Sequence, residues 1–280
     1  MHPRLLIACS LVAMAACSST RASTESGSRV APLIEYSAPR GGFLSATVFG
    51  TKPILSVAAT FWAPENAGAG VVCTAREVAS CSVRVCEAHE GAARSLTAGA
   101  IRIGADQGKP IALEPDALGH YANPAGKARP WLPGARIHLE SSGADVEPFG
   151  VDLTAPPALE VFEPNAALPL TIDRAAGYEA HWASDGAGGA TGATGTVRVA
   201  IRQDRDAAKT ALEAGVSVDC FFPRSDGQGM VPVEALRDLA PGAPTNAMVY
   251  SVEQTHVRAA GFDTVVLVNT GGIFKEATIR

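Results

Sequence analysis

The chain has little charge and few rings. Charged residues make up 18 % of its 280 positions and aromatic residues 6 %, and lysine is scarce. A formal charge of −5 and a pI near 5.7 argue against a nucleic-acid binder, which would show a basic face. No C-x-x-C occurs, which removes a thioredoxin-like redox pair. The histidines are His2, His89, His120, His138, His181 and His256, too widely spaced for an H-x-H or H-E-x-x-H metal motif. No G-x-S-x-G elbow marks a hydrolase nucleophile, although a triad assembled from distant strands leaves no such trace. "DGQG" at 226–229 is too short for a calcium loop. The glycine-rich stretch 184–195 has Thr191 where a G-x-G-x-x-G motif needs its third glycine. It also joins two strand patterns, so it reads as a hairpin loop rather than a phosphate cradle.

What is present is apolar and small. Hydrophobic residues reach 47 %, enough for real cores. The chain opens "MHPRLLIACSLVAMAACSST". Arg4 gives a short positive start, and residues 5–16 form an apolar run. That run is too short to cross a ~30 Å hydrocarbon core as a helix, which takes about 20 residues. It fits the apolar region of an export signal. Small residues then precede Cys17. The arrangement resembles the lipobox of bacterial lipoproteins, with Met14, Ala15 and Ala16 at its positions, although the family usually has Leu where Met14 stands. The resemblance implies a signal peptide over 1–16 and a lipidated Cys17. An ordinary signal peptide cut after Ala16, or near 21–23, is the alternative. Ser18 rather than Asp after the cysteine implies the outer membrane of a Gram-negative envelope.

Residues 17–30 read as a lipidated cysteine and a Ser/Thr-rich tether. Thirteen flexible residues span about 20 Å. From residue 31 on, short β-branched runs such as "FLSATVF", "AIRIGA", "RIHLESS", "TVRVAIRQ" and "FDTVVLV" alternate with Gly, Pro, Asn and Asp turns. That spacing predicts an all-β fold. Pro156 and Pro157 cannot both sit in a central strand. They divide the chain into two expected β-sandwich domains, 31–157 and 158–280, of immunoglobulin-like or fibronectin-III-like kind, with Trp182 as a core tryptophan of the second. Two short helices are expected, over 206–215 and 231–239. Charge runs +2, −2 and −5 over 1–30, 31–157 and 158–280. Scattered charges of this kind read as a solvated surface.

Three of the six cysteines lie in "VVCTAREVASCSVRVC", residues 71–86. With His89 they could make a Cys3His zinc site, but the paired-knuckle spacing of structural zinc is missing. Export to an oxidising compartment favours a disulfide. Strand alternation turns Cys81 inward with Val83 and Val85 and turns Cys86 outward. The expected bridge is Cys73–Cys86, with Cys73–Cys81 as the alternative. Cys81 is then a small buried residue, and Cys220, on the face of Val216, Val218 and Phe222, a buried free thiol.

"AGAIRIGADQGKPIALEPD", "WLPGARIHLESSGADVEPFGVDLTAPPALEV" and "VSVDCFFPRSDGQGMVPVEALRDL" resemble uncharacterised exported lipoproteins of high-GC, myxobacteria-type Gram-negatives. The similarity covers most of residues 70 to 270 and consists of strand and turn patterns. It implies fold and location, not an activity. The expectation is a non-catalytic, membrane-anchored structural or binding module of the cell envelope, without cofactor or metal. Its expected partners are the membrane, through the lipid anchor, and an envelope protein or polysaccharide; nucleic acid is not among them. The alternative is a carbohydrate- or polymer-binding module, which needs an aromatic platform drawn from Trp62, Trp131 and Trp182. A hydrolase ranks below both.

Overall fold

In the computed structural model, residues 40–48, 55–63, 71–88, 96–106, 110–117, 119, 121, 131–184, 195–204 and 215–280 are described. The expected export signal, Cys17, the tether and the helix expected from residue 206 lie outside them, apart from Gly215, which opens a strand.

The described chain is nearly all strand, as its alternation predicts. β1 (Gly41–Val48), β2 (Leu55–Trp62), β3 (Val71–Val78) and β4 (Cys81–Ala88) come first. They join β12 (Thr196–Asp204), β13 (Gly215–Pro223), β15 (Thr245–Ala259) and β16 (Phe262–Ile279) in one sheet, ordered β2-β1-β16-β15-β12-β13-β4-β3. β10 (Leu170–Ile172) adds to β16. A second sheet is ordered β6-β5-β7-β8, from β5 (Ile101–Ala105), β6 (Ile111–Leu113), β7 (Arg136–Ser141) and β8 (Gly150–Thr154). A third is ordered β14-β11-β9, from β9 (Val161–Glu163), β11 (Tyr178–Trp182) and β14 (Gln228–Val231). One turn of helix, α1 (Val233–Leu236), follows Pro232, whose fixed φ suits a helix start.

Sheets stack face to face, the sandwich arrangement that alternating strands require. On β15, Val257, Val249 and Ala247 lie on one face. Val257 belongs to a core built with the four-stranded sheet, through Ile101, Ile103, Ile137, Leu139, Val151 and Trp131. Val249 and Ala247 belong to a core built with the three-stranded sheet and α1, through Ala180, Trp182, Val231 and Leu236. The long β15–β16 hairpin is therefore a layer common to both cores. Strands from both sides of Pro157 enter it: β1 pairs parallel with β16, and β4 pairs with β13. Neither core coincides with one side of residue 157.

The junction between the cores is built from specific bonds. Arg224, 1 % exposed, donates to the carbonyls of Pro157 and Ala158 at 3.2 and 2.9 Å and to Ser251 Oγ at 3.4 Å. Beside it, β16 carries two residues, Gly271 and Gly272, where β15 has Tyr250. This is a bulge, and both glycines have positive φ, 69° and 89°.

Candidate functional site: the charged cluster on the inner face of the long sheet

The other face of the long sheet is also buried, which simple alternation does not predict. All eight residues of β1 are buried, as are the first eight of β13. Curvature explains this. Arg198 stands opposite Tyr250, and Phe43 stands opposite Val265, whose β15 partner is His256, six residues beyond Tyr250. On a flat sheet, three strand spacings and six residues along the strand put those backbones more than ~20 Å apart. Yet the Arg198 guanidinium carbon lies 5.9 Å from the Phe43 ring centroid. The sheet curls, and this face is its inside.

Inside the curl sits a charge cluster. Asp219 is completely buried and Arg198 is 4 % exposed. Arg198 donates from Nε and Nη2 to Asp219 Oδ1 at 2.9 and 2.6 Å. Arg202 Nη2 lies 3.1 Å from Oδ1 and 3.0 Å from Oδ2, and Ser217 Oγ donates to Oδ2 at 3.4 Å. Burial, the largest single effect, pushes the Asp219 carboxyl up. Arg198, Arg202 and then Arg84 together outweigh it and hold the carboxyl below its ordinary value. Phe43, Phe221, Val252, Val265 and Leu267 form a small apolar cluster on the same face. Farther along β16, Asn269 donates to Ser45 Oγ and Thr47 Oγ1 at 3.0 and 2.9 Å, and among the described residues its Oδ1 accepts no hydrogen bond.

The chemistry of this cluster is electrostatic. An ionised carboxylate whose lone pairs are taken by two guanidinium groups is neither a proton donor nor a free base. It fixes the relative positions of β12 and β13 inside a low-dielectric space.

The cysteines differ from expectation at one bridge. Cys73 and Cys86 are directly opposite on β3 and β4 and are disulfide-bonded, as expected; the Cys73–Cys81 alternative does not form. Cys81 and Cys220 are directly opposite on β4 and β13, and they form a second disulfide. The reading of Cys81 as a small unpaired residue and Cys220 as a free thiol is corrected. Both do face the second core, but β4 and β13 are neighbours, which brings the two sulfurs together. His89 lies outside the described residues.

Trp131 and Trp182 are each 2 % exposed and belong to separate cores. Their indole N–H groups donate to Thr270 Oγ1 at 3.3 Å and to the Arg224 carbonyl at 2.8 Å. Neither offers a stacking platform; the Trp62 side chain and most of the glycine-rich stretch lie outside the described residues. His138 is flanked by Asp152 at 2.9 Å and Glu140 at 3.5 Å, His181 by Glu179 at 3.5 Å, and His256 by Asp263 at 3.1 Å. Among the described residues, no group of three or more His, Cys, Asp or Glu side chains is placed to hold a metal ion.

No family model matches the chain, and no curated protein does. Among solved structures it is similar to the chicken CNTN1 FN1-FN3 domains, at 7 % identity and a TM-score of 0.19, over 72 % of this chain and 66 % of that one. A likeness at that score carries no argument about fold or role.

Proposed function

We propose that the chain is a lipid-anchored lipoprotein of the Gram-negative cell envelope, acting as a non-catalytic structural or binding module at the outer membrane. The observation that carries this reading is the pairing of four cysteines in two disulfides behind an N-terminus with Cys17 in a lipobox-like setting. Disulfides persist in oxidising compartments, and an export signal leads there. Two acyl chains on Cys17 give lasting attachment, since each buried CH₂ contributes about 0.8 kcal/mol and one chain alone holds only marginally. The occupied lone pairs of Asp219 agree with a scaffolding role for the inner-face cluster. The polysaccharide-binding alternative is the weaker reading, because burial of Trp131 and Trp182 removes two of its three ring candidates.

Metabolic labelling of the full chain with an alkyne fatty acid, followed by membrane fractionation, tests the anchor. Label is expected on the wild type, in the outer-membrane fraction, and is lost in Cys17→Ala. A Cys17→Ala chain that still takes up label overturns the assignment.

A further inference from the structure

The two disulfides share β4 but differ in how an attacking thiol can reach them. Cys81 and Cys220 are both fully buried, in the core beneath the three-stranded sheet. Cys86 is 2 % exposed, but its partner Cys73 is an exposed residue. Cys73 lies on β3, which ends the long sheet's strand order, so among the described strands β3 pairs with β4 alone. Beyond that ladder, Arg76 ties β3 to the α1 region, donating to the Glu234 carbonyl at 2.7 Å and to Asp238 Oδ2 at 2.8 Å.

We propose that Cys73–Cys86 is a thiol-exchange site, open to a protein dithiol reductant while the rest of the fold stays intact, and that Cys81–Cys220 is the permanent staple. Exchange proceeds by attack of a thiolate on an accessible disulfide sulfur, so exposure decides which bond opens. The reductant's thiolate attacks the Cys73 sulfur. The Cys73–Cys86 bond breaks, and Cys86 leaves as a thiolate that takes up a proton. The reductant's second thiol then attacks its own sulfur in the mixed disulfide and releases Cys73 as a thiol. Two electrons and two protons pass to the cysteine pair, and the dithiol becomes a disulfide. Among the described residues, the edge strand is then held by its ladder to β4, by Arg76 and by Val78 against the second core. The Cys81–Cys220 bond stays closed, because a thiol can reach it only by entering the core. This proposal does not depend on acylation of Cys17.

The test is graded dithiothreitol on the folded full chain, with rapid alkylation and peptide mass mapping. Cys73 and Cys86 are expected to label at dithiothreitol concentrations at least about tenfold below those that label Cys81 and Cys220. Opening of both pairs together, of Cys81–Cys220 first, or of neither before unfolding overturns the proposal. Two variants check the direction of attack. In Cys86→Ser, the remaining Cys73 should form a mixed disulfide with oxidised glutathione at least about tenfold faster than Cys86 does in Cys73→Ser. Equal rates overturn the assignment of Cys73 as the attacked sulfur. Hydrogen exchange separates the strand-level consequence: on reduction, amides of 71–78 should exchange faster while those of 215–223 do not change. No change at 71–78 refutes release of the edge strand.

Discussion

Arg198 places two of its nitrogens on one oxygen of Asp219, at 2.9 and 2.6 Å, inside a curled sheet. Removing one partner of such a pair leaves a buried charge without compensation, at a cost of about 3–5 kcal/mol. Asp219→Asn should therefore lose about that much in chemical denaturation. The double variant Arg198→Met with Asp219→Leu should lose less, because an apolar pair of similar size avoids the desolvation cost. The Asp219 carboxyl sits below its ordinary value in the folded protein. Its contribution is therefore present above the unfolded-state value and is lost as pH falls through the lower, folded value. Acid unfolding of the wild type should steepen there, and Asp219→Asn should flatten it. A single variant no less stable than the double would show that the pair is not the stabilising unit.

The two bridges should differ in stabilising power. Cys81 and Cys220 are 139 residues apart, Cys73 and Cys86 only 13. In the chain-entropy model the long loop contributes about 5 kcal/mol and the short one about 3 kcal/mol. Guanidinium unfolding should rank Cys81→Ala/Cys220→Ala below Cys73→Ala/Cys86→Ala. The reverse order would place the main constraint at the edge strand.

His138 should titrate above its ordinary value. The hydrogen bond to Asp152 is the main cause; burial opposes it, and the charge of Asp152 and then Glu140 add to the rise. A raised value means that these contacts stabilise the fold while the ring is protonated, fully so below the unfolded-state value. The contribution is then lost as pH rises through the folded value. The group is more than half exposed, so solvent screening keeps the effect on stability small. An NMR titration is the direct measurement: Asp152→Asn should lower the His138 midpoint, and an unmoved midpoint would remove Asp152 as the cause.

Much of this fold is legible in the chain, and the gaps share one origin. Alternation correctly turns Val197, Val199 and Ile201, and Val216, Val218 and Cys220, toward a core. The same alternation reads Arg198 and Asp219 as solvated, because it assumes a sheet with one wet face. Curling buries that face, and curling comes from strands far apart in sequence, such as β1 and β12. Likewise, the inward facing of Cys81 and Cys220 is readable on each strand, but their bond is not. It depends on β4 and β13 being neighbours across the Pro156–Pro157 break. The C-terminal strand is longer than "FDTVVLV" because the Gly271–Gly272 bulge lets it continue to Ile279, where a glycine pair reads as a stop.

That bulge gives a comparison between two glycines with nearly the same backbone. Gly261, in the turn between β15 and β16, has φ 84°, and a Cβ there would meet nothing within 4 Å. Gly272 has φ 89°, and a Cβ there would lie 1.8 Å from the Val249 carbonyl oxygen. Gly261→Ala should cost only the left-handed backbone penalty of about 1–2 kcal/mol. Gly272→Ala carries that penalty and also drives apart two paired strands where Arg224 holds the junction of the cores. Its loss in thermal or denaturant unfolding should exceed that of Gly261→Ala by at least ~2 kcal/mol. Equal losses would mean that the β15–β16 ladder yields at the bulge at no cost, so that it is not what keeps the two cores in register.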